Sequence, residues 1–141
     1  MALSKDMSAR REPGKGRDEY PHRELTERVI GAAIRVHRAL GPGFVESIYE
    51  NALCQQLETD GVPFERQKTL PVSYEGKLVG EHRADLIVGG VLVLEIKAVS
   101  DLAEQHAAQL LSTMKAAGAK VGLLMNFHQP RLIDGVRRFV L

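Results

Sequence analysis

Arg83-Ala84-Asp85-Leu86-Ile87-Val88-Gly89-Gly90-Val91-Leu92-Val93-Leu94-Glu95-Ile96-Lys97-Ala98 is the stretch on which the fold turns. Two aliphatic runs flank a Gly-Gly pair, which predicts a hairpin of two short strands. Three charges interrupt the runs: Asp85 in the first arm, Glu95 and Lys97 in the second. A charge in a central strand is costly unless it is paired or binds a metal. Glu95 and Lys97 lie two positions apart and so share a face of their strand. Whether Asp85 joins them depends on the loop. A loop of Gly89 and Gly90 alone would set Ala84 opposite Glu95 and turn Asp85 to the other side of the sheet. An odd connection, for example Val88 to Gly90 with a bulge, would set Asp85 opposite Val93, on the face of Glu95 and Lys97. Two acids and a lysine on one patch of sheet suit a divalent cation and a phosphate, and that reading requires the odd loop.

Upstream of the hairpin, Val29, Ile30, Ala33, Ile34, Val36, His37 and Leu40 recur at spacings of three and four. They predict a helix from about Glu24 or Thr26 to Leu40, ended by Gly41-Pro42-Gly43. His37 sits at the edge of that stripe as a packed histidine. A second helix is expected from about Val45 to Asp60, with Ile48, Tyr49, Ala52, Leu53, Gln56 and Leu57 as its apolar side. Glu46 and Glu50 are one turn apart on it. They read either as solvated glutamates near a helix N-terminus, which the macrodipole favours, or as one acid reaching the charged patch.

Phe64 to Tyr74 reads as a strand, with Pro71 marking an edge or a bulge. Glu75-Gly76 is a turn, Leu78 to Val88 the second strand and Val91 to Val99 the third. A third helix, capped by Ser100 or Asp101 with Asp101-x-x-Glu104 as a capping box, runs to Ala117. Its core face is Ala103, Ala107, Leu110, Leu111 and Met114, and Gln105, His106, Gln109 and Thr113 form a polar stripe. Ala119 to Asn126 is a buried strand, and a short strand is expected around Arg138 to Leu141. The order is helix, three antiparallel strands, helix and strand, with a further helix before the sheet. The last helix crosses over, so the strands flanking it pair in parallel. The expected fold is α/β, a three-layer sandwich with a mixed central sheet.

With 141 residues, 44% of them hydrophobic, the chain can bury one substantial core. A formal net charge of +1 gives no general attraction to nucleic acid, so any such binding must use a local patch. The one cysteine, Cys54, cannot form an intramolecular disulfide and is expected as a buried packing residue. No apolar run approaches the roughly 18 residues of a membrane span, and the N-terminus has no signal-peptide hydrophobic region. The expectation is a soluble cytoplasmic protein, with residues 1–22 as a disordered tail and 23–141 as the folded domain.

Several motifs together resemble a known family. Gly43-Phe44-Val45-Glu46-Ser47-Ile48-Tyr49 matches the signature of the GxxExxY proteins, and Glu50-Asn51-Ala52-Leu53 follows it. Arg83 to Val88, Glu95 to Val99, His106 to Leu111, Gly122 to Phe127 and Asp134 to Arg138 agree in the same order. The family belongs to the PD-(D/E)xK nuclease-like superfamily, which implies a restriction-endonuclease-like fold. The resemblance implies that Asp85 and Glu95 bind Mg²⁺ or Mn²⁺, with the backbone carbonyl of Ile96 and waters completing the oxygen ligands. It implies that Lys97 steadies the attacking water and the phosphate charge. Glu46 would be the helical acid, holding a water or a second ion, which makes Glu46, Asp85, Glu95 and Lys97 the catalytic set. Gln109 matches the glutamine of a QxxxY helix whose tyrosine position is here Thr113; with His106, these two would contact substrate. The implied function is metal-dependent hydrolysis of phosphodiester bonds, with DNA as the expected partner, in repair, recombination or defence. Many small nucleases of this superfamily dimerise to cut two strands, so a homodimer is a further expectation. Two alternatives stand beside it. One is a non-catalytic nucleic-acid-binding relative. The other is a partner-binding domain in which Glu95 and Lys97 form an in-strand ion pair and Asp85 pairs with Arg83 or Lys97.

Overall fold

The structure, a computed structural model, describes residues 2–5 and 20–141. In chain order its elements are β1 (Ala2–Lys5), α1 (Arg23–Leu40), α2 (Glu46–Thr59), β2 (Phe64–Tyr74), β3 (Lys77–Val88), β4 (Leu92–Lys97), α3 (Glu104–Ala117), β5 (Val121–Asn126), a 3-10 turn at Leu132–Gly135 and β6 (Val136–Val140). They form one mixed sheet in the order β1-β6-β5-β4-β3-β2. β2, β3 and β4 are successive antiparallel neighbours, and β4 pairs with β5 in parallel across the α3 crossover. Ala2–Lys5, which fell within the expected tail, instead add an edge strand antiparallel to β6; the rest of that tail, up to residue 19, lies outside the described residues. The start of the domain is pinned by Arg138 of β6, whose guanidinium donates to the Pro21 carbonyl (2.8 Å) and lies over the Tyr20 ring.

The outer part of the β2–β3 hairpin is exposed, whereas the centre of the sheet is buried on both faces. α1 and α2 cover one, where Val29, Ala33, Tyr49, Leu53 and Leu57 meet Leu86, Leu94, Ile96 and Leu123. α3 covers the other, where Leu110, Leu111 and Met114 meet Ile87, Val93, Leu124 and Phe139. This is the expected three-layer arrangement, and it explains why β4 and β5 read as near-continuous aliphatic runs rather than alternating ones. Cys54 and His37 are buried as expected, and His37 Nε2 lies 2.8 Å from the Gln129 carbonyl. β2 is the edge strand that Pro71 suggested, with a register shift at Val72/Ser73.

Four local expectations are corrected. Ile48 is exposed while Glu50 is buried, because Glu50 has partners on β2 that the helical stripe does not reveal. β4 ends at Lys97 rather than Val99, because the Asn126 side chain takes both the N–H and the C=O of Val99. α3 begins at Glu104, not at Asp101. Its cap is the His106 ring, whose Nδ1 accepts the Ala103 N–H at 2.9 Å. Thr113 of the polar stripe is fully buried.

The loop between α1 and α2 is fixed by Tyr49. Its hydroxyl donates to the Gly41 carbonyl (2.5 Å) and accepts the Phe44 N–H (3.1 Å), while its ring stacks on Phe127 at 4.6 Å. Gly43, between those anchors, has φ +116, a conformation other residues rarely adopt. Tyr49→Phe removes one hydroxyl and two hydrogen bonds while keeping the stacked ring. It is expected to cost about 1–2 kcal/mol of stability, read as a lower urea midpoint at unchanged m-value.

Candidate active site

The β3–β4 hairpin closes with Val88 opposite Leu92, so Gly89, Gly90 and Val91 form a three-residue loop. The connection is odd, as the metal reading required. Its register differs from the example of Val88 to Gly90, and extending it sets Asp85 opposite Glu95 rather than Val93. Backbone pairing of the two strands stops at Leu86/Leu94, whereas β4 stays paired with β5 as far as Lys97/Asn126. β3 therefore leaves β4 at this level. The Ile96 N–H that would have faced β3 is taken by the Asp85 side chain, with Oδ2 at 3.0 Å.

On its other side, β3 also loosens from β2. Arg66/Leu86 and Lys68/Ala84 are paired, but Gln67, across from Asp85, is not; it has φ 51, in the left-handed region. Ala84 and Ile87 pack in the same cluster beneath α3. Strict alternation forbids that for residues three apart, so β3 twists and its alternation breaks between Ala84 and Ile87, while its pairing register with β2 is the same on either side. The Gln67 side chain turns to Glu50 of α2, donating to Oε1 at 2.8 Å, and Arg66 pairs with the other Glu50 oxygen at 2.7 Å. Arg66 also donates to the Asn51 side chain. α2 is thereby tied to the distorted segment of the sheet.

Glu95 is only 6% exposed. Its Oε1 lies 3.1 Å from the hydroxyl of Thr113, which is itself 2.9 Å from the Gln109 carbonyl and 2.6 Å from His82 Nε2. Burial, and then the Asp85 carboxylate beside it, push the Glu95 carboxyl up to about 7, against the opposing pull of the Thr113 hydrogen bond and Lys97. Glu46, in the first turn of α2, keeps solvent access. Its pKa is also raised, first by partial desolvation, with Lys97 opposing and Asp85 and Glu50 adding to the rise. Glu46, Asp85, Glu95 and Lys97 thus lie within one electrostatic cluster, with His106 at its margin.

The backbone of Lys97 is held by the Phe127 N–H, 2.8 Å from its carbonyl. Gln109 is exposed one turn before Thr113 on α3. Thr113 has no surface for a substrate and faces Glu95 instead. The residues that sequence reasoning passed over are the Glu50–Arg66–Gln67 contact, Asn126 and His82. Asn126 stood within a quoted motif. Counting alternation back from Asp85 puts His82 on the opposite face, since the count crosses the twist.

A family model of the PD-(D/E)XK nuclease superfamily matches residues 23–139, and the chain belongs to that superfamily. Its α/β architecture is consistent with the restriction-endonuclease-like fold, and Gly43 to Tyr49 is consistent with the GxxExxY branch. No curated protein and no solved structure matches the chain. Among the described residues, no helix is long and apolar enough to cross a membrane.

Among the described residues, no three His, Cys, Asp or Glu side chains gather to hold a metal ion by themselves. The pair Asp85 and Glu95 still fits a hard divalent cation, provided backbone carbonyls and water complete the shell, as is usual for Mg²⁺. Two adjacent acids, one with its pKa raised by burial and by its neighbour, resist carrying both negative charges at once, and a bound cation would let both ionise.

The raised Glu95 pKa has a signed consequence. The folded state holds a proton that the unfolded chain, with an ordinary value of 4.5, has released by about pH 6. Folding therefore takes up a proton in this window, and the stabilisation is lost as pH rises through 7. The melting temperature of the metal-free protein is expected to fall between pH 5 and 8. In Glu95→Gln that fall should be visibly shallower, and differential scanning fluorimetry across the range checks it.

Proposed function

We propose that this chain is a metal-dependent nuclease that hydrolyses phosphodiester bonds of DNA. The observation that carries the reading is the convergence of Asp85, Glu95 and Lys97 where β3 parts from β4. Asp85 and Glu95 would hold Mg²⁺ or Mn²⁺, with the Ile96 carbonyl as a candidate backbone ligand. When bound, the ion supplies Lewis-acid polarisation of a phosphoryl oxygen.

The protein groups supply the remainder. Lys97 brings an ammonium into the field of the carboxylates, where negative charge would grow on the phosphate as the transition state forms. Its backbone is tied to Phe127, so that ammonium starts from a fixed strand end. Glu46 has a raised pKa and solvent access, which suits it to orient an attacking water and accept its proton. Thr113 acts from beneath by fixing Glu95, while Gln109 and His106 stand on α3, along which flanking phosphates would run.

Lys97→Ala is expected to slow DNA cleavage on the order of 100-fold while leaving DNA binding in a gel-shift assay close to wild type. Cleavage at the wild-type rate would remove Lys97 from the mechanism. Calorimetry gives the complementary test. Wild type should bind Mn²⁺, and a variant carrying Asp85→Asn with Glu95→Gln should not. Equal binding by both would place the ion elsewhere, and DNA binding without cleavage at any metal concentration would favour the non-catalytic relative.

A further inference from the structure

We propose that His82 is a positioning residue for Glu95, acting through Thr113 as an N–H donor that turns the Thr113 hydroxyl onto the buried carboxylate. The inference rests on the metal-binding reading of Glu95 and extends the site to a β3 residue that meets α3 at Thr113.

The argument is a count of protons. The Thr113 hydroxyl has one hydrogen and three neighbours within reach: His82 Nε2 at 2.6 Å, the Gln109 carbonyl at 2.9 Å and Glu95 Oε1 at 3.1 Å. With Glu95 ionised, as a metal ligand must be, carbonyl and carboxylate oxygens only accept, whereas a neutral imidazole nitrogen either donates or accepts. If His82 Nε2 accepted, it would take the only hydroxyl hydrogen. Glu95 Oε1 would then face a hydroxyl lone pair inside the protein, since Thr113 is 0% and Glu95 6% exposed. An unsatisfied buried carboxylate is among the more costly arrangements a core can hold. If His82 Nε2 donates instead, the hydroxyl lone pair is used and its hydrogen is freed for Glu95. For the ionised Glu95 that binds a cation, the consistent chain is His82 Nε2–H to Thr113 Oγ1, then Thr113 O–H to Glu95 Oε1.

The surroundings of His82 agree with this direction. It is half-buried on β3, paired across to Leu70 of β2, and lines a cleft of about 500 Å³ with Pro71, Ser73, Ser112 and Lys115. Water in that cleft can serve the other ring nitrogen, so the Nε2–H tautomer leaves no buried nitrogen without a partner. A carboxylate fixed by such a chain is presented to a cation in one orientation, which is how outer contacts tune metal affinity.

The test has two arms. Long-range ¹H–¹⁵N NMR of the metal-free wild type at pH 8 should show His82 protonated at Nε2 and bare at Nδ1; the opposite tautomer would overturn the proposal without any variant having to fold. In calorimetry with MnCl₂, His82→Leu and Thr113→Val should each weaken Mn²⁺ binding by about tenfold, the low end of what lost outer contacts cost. The double variant should be no weaker than Thr113→Val alone, and His82→Gln, whose amide can donate from a similar position, should recover most of the loss. Additive losses, or no rescue by glutamine, would overturn the role of His82 while the metal site stands. Failure of the wild type to bind Mn²⁺ would overturn the underlying reading, and the proposal with it.

Discussion

The carboxylate of Asp85 stands where a backbone carbonyl of β3 would otherwise accept the Ile96 N–H. A hairpin that stayed paired to its open ends would keep Asp85 and Glu95 as ordinary cross-strand neighbours and leave no gap between the strands. Here the pairing stops at Leu86/Leu94, and one side-chain acceptor makes good the lost ladder bond. The sheet can then open at its centre without burying an unsatisfied donor, which would cost about 1–3 kcal/mol. The opening is one-sided. β4 remains paired with β5 through Lys97, so Glu95 and Lys97 keep a rigid base while Asp85 is carried away with β3. Gln67 absorbs the same distortion on the β2 side through its left-handed backbone.

This arrangement places function and stability in opposition. The face of the sheet under α3 is mostly apolar, and Glu95 interrupts it. Thr113 interrupts α3 at the matching place, so the buried acid meets a hydroxyl rather than a hydrocarbon. An aliphatic pair at these positions would pack without a desolvation penalty. The polar pair persists in a core that could dispense with it, and its neighbours are Asp85 and Lys97. Those are the circumstances in which a perturbed carboxyl is a better guide to chemistry than to fold.

How much of this was legible in the sequence follows from where alternation holds. Helix stripes and the aliphatic strands obey simple periods, so the layers could be read in advance, whereas the sequence leaves open the parity of the Gly89–Val91 loop and with it whether Asp85 shares the face of Glu95 and Lys97. Beyond a break in period, counting fails. His82 and Asp85 are three apart, yet the twist at Asp85 separates them differently from what alternation gives, and so the contact between His82 and Thr113 could not be counted out. Thr113 looked like one more polar residue on an exposed stripe, because nothing local tells a buried hydroxyl from a solvated one. Glu50 was hidden for a related reason. Its partners, Arg66 and Gln67, are brought to it by the kink in β2.

The Gly43–Tyr49 signature gains a mechanical meaning from the same contacts. Tyr49 grips the loop before α2 through the Gly41 carbonyl and the Phe44 N–H, which sets where α2 begins and hence where Glu46 stands. The ring of Tyr49 stacks on Phe127, and the Phe127 N–H holds the Lys97 carbonyl. A single aromatic contact therefore joins the support of the helical acid to the support of the strand lysine. The two charges belong to elements far apart in sequence, and their mutual influence on the Glu46 carboxyl depends on that junction holding its geometry. A glycine is needed where the loop turns with φ +116, and a tyrosine is needed because phenylalanine could stack but could not grip the loop. Read this way, the spacing between Gly43, Glu46 and Tyr49 is the distance from a turn, through one helical acid, to the ring that anchors both.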